Sequence, residues 1–172
     1  YKVIKLETMV DAAFINNVEM KWEGVQFVRV DADVVDNLID KQENVDSVLS
    51  KEEVEQAKKL FEFQIPETTI TVEVKGLSQD AAPVIATRPE FMRRMKDMAK
   101  MGGGMSFYGN MPDSYKVAIN GNHKLVSKIL ASADEEEQSK FAKQAVDLAL
   151  LSQGMLTGAE LTAFVSRSVE LI

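Results

Sequence analysis

Ser114-Tyr115-Lys116-Val117-Ala118-Ile119, then Asn120-Gly121-Asn122-His123, then Lys124-Leu125-Val126-Ser127-Lys128-Ile129-Leu130, reads as a strand, a turn and a helix. In the helix, Leu125, Val126, Ile129 and Leu130 share the inward face. Upstream, residues 68–74 alternate cleanly, with Ile70, Val72 and Val74 on one side and Thr69, Thr71 and Glu73 on the other. Residues 75–82 make a turn, and residues 83–86 a second, short strand. Ser50-Lys51-Glu52-Glu53 matches a capping box and opens a helix to about Phe63, before Pro66. The pattern predicts an α+β fold: a three-stranded mixed sheet with flanking helices.

The chain closes on two more helices. Acidic residues 134–137 open the first, which suits its dipole. It carries Phe141, Ala142, Ala145, Val146, Leu148, Ala149, Leu150 and Leu151. Gly154 and Gly158 bracket a turn, and the last helix carries Leu161, Phe164, Val165, Leu171 and Ile172. Apolar residues around 146–151 cover more than one stripe, so this αα-hairpin needs a second partner. Its own domain can supply it, or a second copy can complete a four-helix bundle. On the second alternative the dimerisation residues are Phe141, Ala145, Val146, Leu148, Leu150, Leu151, Leu161, Phe164, Val165, Leu171 and Ile172.

At the other end, residues 1–6 and 25–30 read as strands around an amphipathic helix at residues 11–22, whose apolar members are Phe14, Ile15, Val18 and Trp22. This βαβ-like piece fits the tail of an upstream α/β domain. Asp31, Asp33 and Asp36 lack the Gly turn and closing Glu of a calcium loop and read as an acidic helix start. The expected division is a tail at residues 1–40, a linker at 41–50 and a domain at 51–172. A first residue other than Met, already in a structured element, predicts a fragment of a longer protein.

Six of the nine methionines lie between Met92 and Met111. Phe91, Met92, Met95, Met98, Met101 and Met105 spread over about half of a helix circumference. Arg93, Lys96, Asp97 and Lys100 take the other half, and Gly102-Gly103-Gly104 follows. Methionine is unbranched and polarizable, so such a face can repack against many partners. The plain alternative is an ordinary core stripe.

The 172 residues carry a net charge of −7 and a pI of about 4.9, which argues against a nucleic-acid footprint. With no cysteine there is no disulfide framework, thiolate chemistry or cysteine zinc site. No apolar run approaches the length of a bilayer span. His123 is the single histidine, so no Ser/His/Asp grouping extends beyond it, and a capping or surface role suits it better than a metal. The glycine run is not followed by Lys-Ser/Thr, so it is not a phosphate loop. The carboxylates read as scattered surface charge. No catalytic residue and no metal site is expected.

Met92-Arg93-Arg94-Met95-Lys96, the Met/Gly/Ser loop through Met105-Ser106-Phe107-Tyr108, the strand at 115–119 and Asn120-Gly121-Asn122-His123 resemble the C-terminal domain of the ninety-kilodalton heat-shock chaperones. There the strand ends in Ile/Leu-Asn-Pro-Asp-His, and this chain departs with Gly121-Asn122. Asp147-Leu148-Ala149-Leu150-Leu151 and residues 161–172 resemble the closing dimerisation helices, and residues 1–40 resemble the last βα element of the middle domain. The lack of cysteine and of an acidic tail fits the bacterial branch.

The resemblance implies an ATP-driven homodimeric chaperone in the parent protein. ATP, magnesium and the ATPase machinery would be held upstream, with no cofactor in this stretch. It implies client contact through Phe14, Phe91, Met92, Met95, Met98, Met101, Met105, Phe107 and Tyr108. It implies partners that are a second copy and unfolded or partly folded clients, in the cytoplasm, with no nucleic acid or membrane. The chain ends Val169-Glu170-Leu171-Ile172, so docking of tetratricopeptide-repeat cochaperones is not implied. The competing reading is a membrane-surface or peptide-binding adaptor, with the basic Met helix on anionic lipid. A third, an enzyme's regulatory domain, requires a pocket that the sequence does not disclose.

Overall fold

The computed structural model describes residues 4–25, 27, 46–65, 71–89 and 115–171. Five helices and three strands lie within them: α1 (Thr8–Lys21), α2 (Lys51–Phe63), β1 (Thr71–Lys75), β2 (Val84–Thr87), β3 (Lys116–Asn120), α3 (Lys124–Ala131), α4 (Glu135–Ser152) and α5 (Gly158–Glu170). The strand order is β1-β3-β2, with β1 parallel and β2 antiparallel to the central β3. The fold is α+β with a mixed sheet and a terminal helix pair, as the patterning predicts.

Alternation explains the sheet's two faces. Val72, Val74, Val117, Ile119, Val84 and Ala86 join the large core beneath the helices. Ala118 and Ile85 point the other way, into a small cluster with Leu77 and Ala81. The register sets Val117 between Val72 and Ala86, and Ile119 between Val74 and Val84. Phe61 of α2, Val126 and Ile129 of α3, and Ala142, Ala145, Val146, Ala149 and Leu150 of α4 close the core from the helical side. α4 packs on β2, α2 and α3, while α5 packs on α4.

The helix starts follow local chemistry. Ser50 Oγ accepts from the Glu53 amide at 3.2 Å, and Glu53 Oε2 accepts from the Ser50 amide at 2.8 Å, the reciprocal bonds of the capping box. Hydrogen bonds donated to the Glu53 carboxylate, by the Ser50 amide first and the Ser50 hydroxyl second, hold it below its ordinary pKa. His123 caps α3, its Nδ1 accepting from the Leu125 amide at 3.0 Å. α4 ends where Gly154 adopts a φ of 63°, and the amides of Gly154 and Met155 donate to the carbonyls of Leu151 and Leu150. That pair of bonds is a Schellman motif, which needs the left-handed residue that glycine supplies.

Of the expected βαβ-like tail, the described residues are 4–25 and 27. α1 forms, but Ile4–Leu6 and the neighbours Val25 and Phe27 are not in strands. Two backbone donors beside α1 turn to its side chains. The Glu7 amide bonds Asp11 Oδ2 at 2.7 Å, and the Phe27 amide bonds Glu19 Oε1 at 2.6 Å. Residues 1–3, 26 and 28–45, with the three aspartates of that stretch, lie outside the described residues, as do 66–70, 90–114 and Ile172.

Candidate interaction surface on the terminal hairpin

The helices α4 and α5 hold almost all of the proposed dimerisation residues, and the fold sorts them by face. Ala145, Val146 and Leu150 are buried, because the side of α4 that carries them lies on β2 and α2. They pack inside this chain, so the outward side of the hairpin is left to other residues. Phe141, Leu161 and Phe164 are half-buried against the same core. Leu171 is also half-buried. What remains outward is Leu148 (54% exposed), Leu151 (36%) and Val165 (53%). Val169, which sequence reasoning missed, joins them at 69% exposed. Its signal was there, since Val165 and Val169 are spaced i, i+4 on one helix face.

α5 has no buried residue at all. Leu161 and Phe164 hold its first half. Polar contacts hold its second half. Asp147 of α4 is 2% exposed and takes both Lys143 Nζ, at 2.6 Å, and Arg167 Nη2 of α5, at 2.5 Å. Arg167 Nε donates to Gln144 Oε1 at 2.8 Å, and Gln144 Nε2 to Ser168 Oγ at 2.7 Å. Lys140 and Glu170 close the row at 3.3 Å. Asp147 therefore departs from the reading of the carboxylates as solvated charge. It can be buried because two cations and their hydrogen bonds replace its water. The i, i+4 pair Lys143–Asp147 was legible in the sequence, but Arg167 was not.

Elsewhere, a cleft of about 310 Å³ opens between α3 and α4, lined by Leu125, Lys128, Ile129, Ala131, Ser132, Glu137 and Phe141. Its two charges are engaged. Lys128 Nζ lies 5.9 Å from the Phe141 ring centroid, and Glu137 Oε2 accepts from Ser132 Oγ at 2.6 Å. Among the described residues no three His, Asp or Glu come together to hold a metal, and no helix is long and apolar enough to cross a membrane.

Of the proposed client-contact residues, Phe14 stands 59% exposed on α1. Met20 and Trp22, which the sequence reading did not include, are also exposed there. Phe91, Met92, Met95, Met98, Met101, Met105, Phe107 and Tyr108 lie outside the described residues.

No family model matches the chain. The chaperone protein HtpG of Bacteroides fragilis strain YCH46 is 30% identical over 239 aligned residues, taking in all of this chain and 35% of that protein. The chaperone protein HtpG of Porphyromonas gingivalis strain ATCC 33277 is 36% identical over 154 residues, 88% of this chain and 22% of that protein. The chain is HtpG-like along its length. It spans between about a fifth and about a third of the relatives that it matches, 22–35% of their length. The HtpG-like chain pairs an α+β body with a hairpin whose last helix buries nothing completely.

Proposed function

We propose that this chain is a non-catalytic segment of an HtpG-type chaperone of the bacterial cytoplasm, joining two copies through α4 and α5 and contacting unfolded clients. The observation that carries it is the outward apolar face of the hairpin. Leu148, Leu151, Val165 and Val169 are all at least a third exposed. Two of these side chains stand on α4 and two on α5, and α5 buries no residue of its own, which suits a hairpin that docks against a partner. A second copy offers the same face, and two hairpins then make a four-helix bundle. Nucleotide chemistry belongs to other parts of the parent protein on this reading, and this segment binds no ATP.

Light scattering tests the assembly. The chain should run at about twice its 19.1 kDa. Val165→Asp should halve that mass with helical content unchanged. Val165 is a better probe than Phe164, whose half-buried ring also packs on the core. A wild-type chain that stays monomeric at high micromolar concentration would overturn the dimer. The client arm rests on the Met-rich sequence 92–105. Met95→Ser with Met98→Ser should leave the melting temperature nearly unchanged and weaken capture of a chemically unfolded protein. A large loss of stability with capture intact would place those methionines in a core.

A further inference from the structure

The turn after β3 carries buried polar groups that the hairpin reading does not use. Asn120 is fully buried. Its Oδ1 accepts from the amides of Leu77 at 3.2 Å and Asn122 at 3.1 Å, and its Nδ2 donates to Ser78 O at 2.8 Å. Asn122, also buried, reaches a different segment. Its Oδ1 accepts from the Val48 amide at 2.8 Å, and its Nδ2 donates to Leu77 O at 3.1 Å and Asp46 O at 3.4 Å. Gly121 stands between them and donates its amide to Lys75 O at 2.9 Å. A Cβ on Gly121 would collide with Ser47 Oγ and press on Leu49 Cδ1 and Val74 Cγ1 at 3.3 Å.

Residues 46–49, expected to be part of a free linker, are thus strapped onto the end of the sheet. The next residue, Ser50, opens α2. On the far side of the turn, the His123 amide donates to Asn120 O at 3.1 Å, and His123 caps α3. One buried turn therefore joins the strap, the loop after β1 and the start of α3.

We propose that this turn is a relay: undocking residues 46–49 loosens both the Leu77–Ser78 loop and the first turn of α3. Asn122 Oδ1 that loses the Val48 donor is free to turn toward other donors, and its side chain re-aims. Re-aiming Asn122 disturbs Leu77 directly and Asn120 through the bond between them, and such networks respond as a unit. The strap is where the chain preceding residue 46 enters the body, so a pull on that chain acts here first. The relay is independent of whether the hairpin dimerises.

Amide hydrogen exchange on the 172-residue chain tests it. Val48→Pro deletes the one N–H that the strap gives to Asn122. The Leu77 and Leu125 amides, neither bonded to Val48, should then exchange at least tenfold faster, while Val117 and Val146 keep their protection. Val48→Ala, which keeps the N–H, should change neither. Asn122→Ala should reproduce the pattern and also expose the Val48 amide, and it serves if the proline variant does not fold. Faster exchange confined to residues 46–50 would overturn the relay. So would a Val48 amide that stays protected in Asn122→Ala.

Discussion

α4 and α5 run side by side, both rich in apolar residues, yet they live in different environments. α4 buries Ala142, Ala145, Val146, Asp147, Ala149 and Leu150, while α5 buries nothing. The difference lies in what each helix meets. α4 is wedged between β2, α2, α3 and α5, whereas among the described elements the extensive contacts of α5 are with α4. An apolar helix with one neighbour cannot cover its stripe. Its hold divides between a half-buried pair, Leu161 and Phe164, and a polar row through Arg167 and Ser168 to Glu170. Apolar content alone therefore does not say which residues are core and which are contact surface; the neighbours decide.

The hardest way to break that contrast is to charge the α4 side. Val146 is fully buried among β-sheet and helix side chains. Val146→Asp puts a carboxylate there with no partner, which should cost on the order of 4 kcal/mol or more and unfold the body. Urea unfolding monitored by far-ultraviolet circular dichroism measures it. Val165→Asp on α5 should shift the midpoint hardly at all under monomeric conditions, within about 0.5 kcal/mol. Equal losses at the two sites would erase the distinction drawn between the helices.

Asp147 tests the join between them. Removing it in Asp147→Ala strands Lys143 and Arg167 and unlinks the second half of α5. Breaking a buried pair costs about 3–5 kcal/mol. Lys143 and Arg167 keep 29% and 16% exposure, so water replaces part of the lost contact. A loss of about 2 kcal/mol is the expectation. Because each single variant already removes the Asp147–Arg167 bond, the double variant Asp147→Ala with Arg167→Ala should cost less than the sum of the single ones. Strict additivity would mean that the two side chains do not act together.

Local chemistry was legible in the sequence; long-range partnership was not. The capping box at Ser50 spans four residues, and the alternation in β1 shows which valines face the core. Each depends only on neighbours along the chain. The sorting of α4 was illegible because apolar residues surround 146–151, so the period does not say which side meets β2. The burial of Asp147 depends on Arg167, twenty residues on. The strap depends on Asn122, more than seventy residues on. The departure from Pro-Asp to Gly121-Asn122 was visible. Its consequence was not: an amide for Lys75, room for Ser47 and two donors that an aspartate lacks.

The smallest effect sharpens the same contrast at the helix starts. Asp134 opens α4 with a side chain that accepts from the amides of Glu136 at 2.9 Å and Glu137 at 3.3 Å. Thr157 stands at the same position of α5, and its side chain makes no capping bond. The chain there enters the helix through Gly158, whose φ is 59°. An Ncap acceptor satisfies donors that the first turn leaves open, and replacing it by alanine costs about 1 kcal/mol. Asp134→Ala should therefore lower stability by about that amount. Thr157→Ala, with no bond to lose, should stay within about 0.5 kcal/mol of wild type. Denaturant midpoints of the two variants, compared at equal slope, give the answer. A Thr157→Ala loss as large as that of Asp134→Ala would show that α5 depends on its own start as much as α4 does, and the picture of α5 as a helix held from the side would fail.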